Sequence, residues 1–482
     1  MDWLQAPDYW LARLVIERAL GAIYLVAFLV AVNQFRPLLG ENGLLPTPLF
    51  LRRVSFLQAP SVFHLRYSDP LLLVVAWAGV ALSLGVVTGG VDALPPWSSI
   101  LVWFALWVLY QSIVNVGQIF YGFGWETLLL EAGFLAIFLG AGATIPAWPL
   151  ILLLRWLVFR VEFGAGLIKW RGDQCWRDLT CLYYHHETQP MPNPLSWFFH
   201  HLPKPLHRVE VVGNFFAQLV VPFFLFAPQP VASGAGAIIV LTQLWLFVSG
   251  NFSWLNVLTM TLAFSAFDDR TLGLVLHVPV PHLATLPLWW QGLIVVVTVL
   301  VLVLSYRPVR NLISPRQLMN FSFDPFHLVN TYGAFGSVTK ERYEIVVEGN
   351  ADSDGGGKGW LEYGFKGKPG DLREVPRQFA PYHLRLDWLM WFAAMESPYR
   401  HQWFIAFAVK LLEGDRATLK LLRHNPFEKQ PPALIRASLY RYRFSTWSQL
   451  RREGEWWVRS YVGEYLPAIA VDDEGSPRRV RS

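Results

Sequence analysis

Residues Leu286–Leu304 read LPLWWQGLIVVVTVLVLVL, nineteen positions without a single charge. At 1.5 Å of rise per residue such a run makes a helix of about 28 Å, close to the ~30 Å hydrocarbon thickness of a bilayer. Eight further apolar runs precede it, at Leu14–Val32, Pro70–Val87, Ser98–Ile119, Thr127–Ala143, Pro149–Ile168, Val211–Ala227, Ala232–Val248 and Phe252–Phe267, the last of them short, with Leu286–Leu304 closing the series. The pattern predicts a polytopic α-helical membrane bundle of about nine transmembrane helices.

Composition agrees. Of 482 residues 54% are hydrophobic, 15% aromatic and only 16% charged, where a soluble protein carries about 25% charged residues. Fourteen of the 40 Lys and Arg residues and 15 of the 35 acids lie before residue 306. The deficit of charge therefore belongs to the N-terminal part, and the remaining excess of six positive charges in the C-terminal part is too small to imply a nucleic-acid partner. The first apolar run follows Asp2, Asp8, Arg13, Glu17 and Arg18 and lacks a small-residue cleavage site, so a retained helix is expected rather than a signal peptide.

Most connections between the runs are a few residues long, but 33–69 and 169–210 are not. We read residues 1–305 as the bundle with these two loops, 306–470 as an extramembrane C-terminal α+β domain, and 471–482 as a flexible tail. Within the second part Tyr343–Glu348 and Trp360–Phe365 flank the Gly-rich turn Asp352–Gly359, a hairpin signal, while Arg385–Glu396 and Tyr399–Glu413 have helical apolar spacing. Only two cysteines occur, Cys175 and Cys181, in one loop. A bridge in an oxidising compartment and two free thiols are both compatible with that placement.

Polar groups inside the apolar runs form stripes. Gln111, Asn115 and Gln118 stand at i, i+4 and i+7, and Arg155, Glu162 and Lys169 recur at seven-residue steps. With Glu131, Asn214 and Gln218 they must avoid lipid. One reading is a shared polar cavity, with Lys169 at its mouth and Glu162 as its charge partner; the other is polar glue between helices. Beyond Lys169 the loop is the densest stretch of the chain, including Trp176, Arg177, Asp178, His185, His186, Glu187 and Gln189, and later His200 and His201. Its histidine spacing fits no common zinc motif and adjacent histidines point apart, so no metal is expected, and no cofactor. Arg177 and Asp178 are expected to brace the loop. In the C-terminal part Trp388, Trp391 and Phe392 share a helical face that is either a client-facing surface or packed on the hairpin, and Arg385 and Asp387 are placed to fix the helix start.

The run WRDLTCLYYHHETQPMPNP (Trp176–Pro194) closely resembles the lipase maturation factor family. The resemblance continues in GNFSWLNVLTM (Gly250–Met260), Asp268–Asp269, VNTYGAFGSVTKER (Val329–Arg342), KPGDLR (Lys368–Arg373), PYHLRLDWLMWFAA (Pro381–Ala394), HNPF (His424–Phe427) and EWWVRSYVGEYLP (Glu455–Pro467). It implies a multispanning, chaperone-like protein of the endoplasmic reticulum membrane that helps secreted lipases fold and assemble, without an established catalytic residue, its C-terminal domain meeting the client on the lumenal side. In a bacterium the membrane would be the cytoplasmic (inner) one and the exported client need not be a lipase. A more distant resemblance joins FGAGLIKW (Phe163–Trp170) to the helix end that carries the catalytic lysine of the vitamin K-dependent carboxylase (HTTM) superfamily. It implies the alternative of a membrane enzyme using Lys169 as base, with Glu162 beside it. Nine spans put both long loops and the C-terminal domain on one side. Arg36, Arg52, Arg53, Arg66, Arg171 and Arg208 mark that side as cytoplasmic by charge bias, against the family's orientation.

Overall fold

Each apolar run is helical in the computed structural model, which describes residues 2–93, 96–352, 359–472 and 477–480. The helices that build the bundle and its long loop are α1 (Trp10–Leu39), α2 (Asp69–Val87), α3 (Pro96–Val116), α4 (Gly124–Ala136), α5 (Trp148–Arg171), α6 (Leu182–Thr188), α7 (Lys204–Phe215), α8 (Val231–Ser249), α9 (Leu255–Ala263) and α10 (Leu288–Leu304). After α7 the chain continues through one π turn, Phe216–Val220, and a 3-10 turn, Val221–Phe226. Small residues bring the helices close: a Cβ on Gly21 of α1 would stand 2.8 Å from Val86 Cγ1 of α2.

Six helical stretches among the described residues are long and apolar enough to cross a bilayer: Pro7–Leu39, Asp69–Val87, Trp97–Val116, Lys204–Phe226, Val231–Ser249 and Leu288–Ile313. The chain is therefore an integral membrane protein, and among the described residues three of the nine expected spans do not meet that length and composition. The run at Thr127–Ala143 is helical only to Ala136, and that at Phe252–Phe267 only over the nine residues of α9 before a 3-10 turn. The 24 residues of α5 are long enough but carry Arg155, Arg160, Glu162 and Lys169, all buried. The physical reason is shared. α4, α5 and α9 are enclosed by other elements, so they need neither bilayer length nor a charge-free surface.

Beyond α10 five antiparallel strands, β1 (Arg342–Asn350), β2 (Leu361–Glu362), β3 (Leu434–Phe444), β4 (Trp457–Val471) and β5 (Pro477–Arg479), form a sheet of order β2-β1-β3-β4-β5. The expected hairpin is present as β1 and β2, with Glu348 opposite Glu362; most of its glycine-rich turn, 353–358, lies outside the described residues. The tail is not wholly free, because Pro477–Arg479 pair with Ile469–Val471; residues 473–476 and 481–482 lie outside the described set. Helices α11 (Arg385–Ala393) and α12 (Gln402–Leu412) bury Leu386, Met390, Trp403, Phe404 and Phe407 against the sheet residues Ile435, Ala437 and Leu466. The same apolar core runs without a break into α1, α3 and α4.

Where the two parts meet, Arg385 is fully buried. Its Nη1 lies 2.8 Å from Glu126 Oε1 of α4 and donates to the carbonyl of Phe120, while its guanidinium covers the ring of Tyr121. Its backbone N–H donates to Gln34 of α1, whose amide in turn donates to the carbonyl of His383. Tyr110 completes the group by donating to Glu126. A buried pair broken from one side leaves an uncompensated charge, at a cost of about 3–5 kcal/mol. Arg385→Met should therefore lower the melting temperature of the detergent-extracted protein and open the junction near Phe120–Gly124 to limited proteolysis. A variant as stable and as protease-resistant as the parent would remove this pair from its role.

Candidate functional site

The polar stripes do not converge. Gln111 and Asn115 donate to the carbonyl of Pro325 (3.4 and 3.1 Å), Asn115 also to that of Pro60, and Gln118 to that of Leu45. His327 closes on Asn115 Oδ1 at 2.7 Å. This face of α3 fastens loop backbone, so the single-cavity expectation is corrected in favour of separate polar knots. Glu131 makes its own: it is ion-paired with Arg160, which the seven-residue stripe passed over, and accepts from Tyr332 Oη (2.7 Å) and from the backbone and side-chain N–H groups of Asn330 (3.0 Å each). Among the described residues Arg155 pairs with no carboxylate. It donates to the carbonyls of Ser265 and Leu225 and to Tyr9 Oη, at 2.9–3.0 Å.

Lys169 and Glu162 are both buried, yet no direct ion pair joins them among the described residues. Lys169 Nζ donates to Asn214 Oδ1 and Gln218 Oε1, each at 2.9 Å, and lies 5.2 Å from the centre of the Trp176 ring. Glu162 accepts from Gln243 (2.6 Å), which accepts from Asn256 (2.7 Å). The sixth run, whose Asn214 and Gln218 were marked, thus serves Lys169, and the amides of α8 and α9 serve Glu162.

The loop beyond Lys169 is the centre of the molecule. Cys175 and Cys181 are bridged, their Cα atoms 4.8 Å apart. Asp173 caps the short helix Gln174–Arg177, and Arg177 spans it, donating to Gln174 Oε1 and to the carbonyls of Trp170 and Gly172, while Gln174 donates to Asp178. That is the expected brace. Trp176 Nε1 donates to the carbonyl of Phe335. His185 stacks on Phe252 and meets Phe335 edge-on, whereas His186 turns the other way, onto Phe199 and His207. Gln189 donates to the carbonyl of Ser249 and to Ser196 Oγ.

From the other side the C-terminal domain grips this loop. Buried Arg342 donates to the carbonyls of Glu187, Gln189 and Pro190. It is paired with Glu344, which also holds Lys368 Nζ at 3.0 Å. Burial pulls Lys368 down to about 8, against the pull of Glu344. Glu187 accepts from the backbone N–H of Phe444, and Trp391 Nε1 donates to the carbonyl of Thr188. Asn251, in the short α8–α9 connection, donates to the carbonyls of Pro192 and Arg377 and accepts from the N–H groups of Phe379 and Ala380. Glu126, Arg160, Asn251, Arg342, Glu344 and Lys368 were not singled out by type or spacing. The signal for three of them lay in the family-like runs, which contain Asn251, Arg342 and Lys368.

The client-facing reading of α11 is corrected. Arg385, Asp387 and Trp388 are buried, Trp388 meets Trp125 edge-on at 4.9 Å, and Trp391 is half-buried; of that face Phe392 is exposed. The reason is that Trp388 is spent on Trp125 of α4 and Trp391 on the loop carbonyl of Thr188. Asp387 accepts from the N–H of Gly367 at 2.6 Å, and burial raises its carboxyl to about 6, with that bond and Lys368 opposing.

The architecture is that of a membrane helical bundle sealed by an extramembrane α+β domain through one long, disulfide-closed loop. Two family profiles match the chain, the lipase maturation factor transmembrane domain over residues 11–274 and the lipase maturation factor C-terminal domain over residues 328–467. The chain belongs to the lipase maturation factor family. It is 42% identical to lipase maturation factor 1 of Bos taurus over 515 aligned positions, covering 98% of this chain and 91% of that protein, and 42% identical to the Homo sapiens protein of that name, covering 98% and 90%. Lipase maturation factor 2 of Homo sapiens is 28% identical, covering 98% and 86%. No solved structure matches the chain. The carboxylase-like alternative finds no support among these relatives.

Two outcomes are expected from this geometry. Lys169→Met leaves the amide oxygens of buried Gln218 and half-buried Asn214 without this donor, the buried one at about 1–3 kcal/mol, so thermal stability should fall; a Lys169→Met protein melting like the parent would show that Asn214 and Gln218 find other partners. For Asp387, a carboxyl raised in the folded state contributes fully below about pH 4 and loses its contribution as pH rises through about 6, a swing of about 3 kcal/mol. Asp387→Asn should flatten that part of the stability–pH curve and be the more stable protein at pH 7.5. Parallel curves for the two proteins would contradict the assignment.

Proposed function

We propose that this protein is a membrane-embedded maturation factor that assists the folding and assembly of secreted lipases or related exported clients. The observation that carries the reading is the full-length relationship: 42% identity to lipase maturation factor 1 extends over 98% of the chain, through both the bundle and the C-terminal domain. Chaperone-like action needs accessible apolar surface rather than a reactive centre. On the C-terminal domain Phe392, Met395 and Tyr399 are exposed along one segment after the buried face of α11, and we assign them to client contact.

The side on which this happens is inferred from the loop. The C-terminal end of α1 and the long loop 169–210 both meet the C-terminal domain, since Gln34 bonds to His383 and Arg342 to the 187–190 backbone. The Cys175–Cys181 bridge within that assembly supports an oxidising compartment. Several arginines that suggested the opposite side have structural partners: Arg36 pairs with Asp69, Arg171 bonds to Gln317 and Arg208 to Tyr183. Their presence is thereby explained without invoking orientation. We place the assembly on the lumenal face of the endoplasmic reticulum membrane, or on the periplasmic face of a bacterial inner membrane.

Co-expression of the chain with a secreted lipase, in cells deprived of their own maturation factor, should raise the lipase activity of the medium per unit of lipase antigen. The double change Phe392→Ser and Tyr399→Ser should reduce that rise several-fold while leaving the melting temperature of the protein unchanged. A stably expressed parent that leaves lipase specific activity unaltered would refute the function. An active double variant would refute the assigned surface alone.

A further inference from the structure

Where the second half of the long loop turns back to the membrane, α6 and α7 bring together His186, His207 and Glu210, whose nearest donor atoms all lie within 4.8 Å of one another. Both imidazoles are about 1% exposed. Neither ring nitrogen of His186 has a hydrogen-bond partner, and His207 Nδ1 has none either. An orphaned buried imidazole nitrogen forgoes its interaction with water without compensation, and here two neighbouring rings each carry at least one such nitrogen.

The surrounding bonds prepare the same three groups for a cation. His207 Nε2 donates to the carbonyl of His200 at 3.4 Å, a tautomer that turns the Nδ1 lone pair toward Glu210 Oε2, 4.0 Å away. The other oxygen of Glu210 accepts from Trp245 Nε1 at 2.7 Å, which fixes the carboxylate. A ring N–H given to a backbone carbonyl and a carboxylate anchored by a second donor are the outer contacts that orient metal ligands. His207 and Glu210 stand at i and i+3 on α7, one face of one helix, so only His186 has to be supplied from elsewhere.

We propose that His186, His207 and Glu210 form a site for a divalent transition-metal ion of the zinc type, which ties the loop helix α6 to the start of α7. Two imidazoles and a carboxylate suit such an ion, which takes nitrogen at about 2.0–2.1 Å and oxygen at about 2.0–2.2 Å in a tetrahedron. Donors bound that way stand roughly 3.3 Å apart, so the present spacing closes by side-chain rotation of about 1 Å. The fourth position opens on the side of Glu210, the least buried of the three, and takes water. The sequence concealed this set because its spacing, 186, 207 and 210, draws one ligand from the histidine-rich stretch and two from the far end of the same long loop, where the structure begins α7.

The test uses the full chain in detergent, stripped with EDTA, dialysed, and offered one equivalent of zinc chloride or cobalt chloride. The expected result is about one ion retained per chain after desalting, a melting temperature several degrees above that of the stripped protein, and cobalt absorption of four-coordinate intensity. His186→Phe keeps the stack on Phe199 and removes a ligand; Glu210→Gln keeps an oxygen for Trp245 and removes the charge. Both should melt like the stripped parent and lose stoichiometric binding at least tenfold. A parent that retains no ion and whose melting temperature zinc does not move overturns the site, as does binding by either variant equal to that of the parent.

Discussion

The buried pair between Arg385 and Glu126 sets the terms for the whole molecule. Neither charge has a solvent-facing outlet, so each is compensated only while the two parts of the chain are docked on one another. Around this pair the junction is polar where it must register and apolar elsewhere. Gln34 reads the backbone of 383–385, Asn251 reads that of 377–380, and Trp125 and Trp388 fill the space between.

This arrangement explains why a loop carries the longest family-like run. Residues 176–194 have too few apolar side chains to form a core of their own, and they are held from both sides: on the bundle side Asn251 donates to the Pro192 carbonyl and the Ser249 carbonyl accepts from the Gln189 amide, and on the sheet side Arg342 and Trp391 donate to loop carbonyls while the Phe444 N–H donates to the Glu187 carboxylate. A loop of this kind is a packing element with the composition of a surface segment.

Much of the fold was legible in the sequence, and for a physical reason. An uncharged run such as Leu286–Leu304 has no stable place but a bilayer or a large apolar core, and alternation at Tyr343–Glu348 has few readings besides a strand. What resisted was the difference between lipid-facing and enclosed helices. Burial of α4, α5 and α9 depends on what surrounds them, and hydropathy along a single chain carries no record of that. The site residues failed similarly. Lys169 and Glu162 stood out by type and did prove buried, but their partners are neutral amides, Asn214, Gln218 and Gln243, that only the packing selects. Arg160, one turn from the marked stripe, pairs with Glu131 because α4 lies against that face of α5 and not against the face carrying Arg155.

The grip of Arg342 on the carbonyls of Glu187, Gln189 and Pro190 also fixes an order of events during synthesis. More than 150 residues separate the loop from Arg342, so the loop emerges, and its cysteines become available for oxidation, long before the strands that will satisfy its backbone exist. Until the last strands are made, this segment presents unpaired polar backbone and half-covered aromatics to the compartment it enters. A chain cut short before β1 would leave the carbonyls of Glu187, Gln189 and Pro190 without the donor that Arg342 supplies.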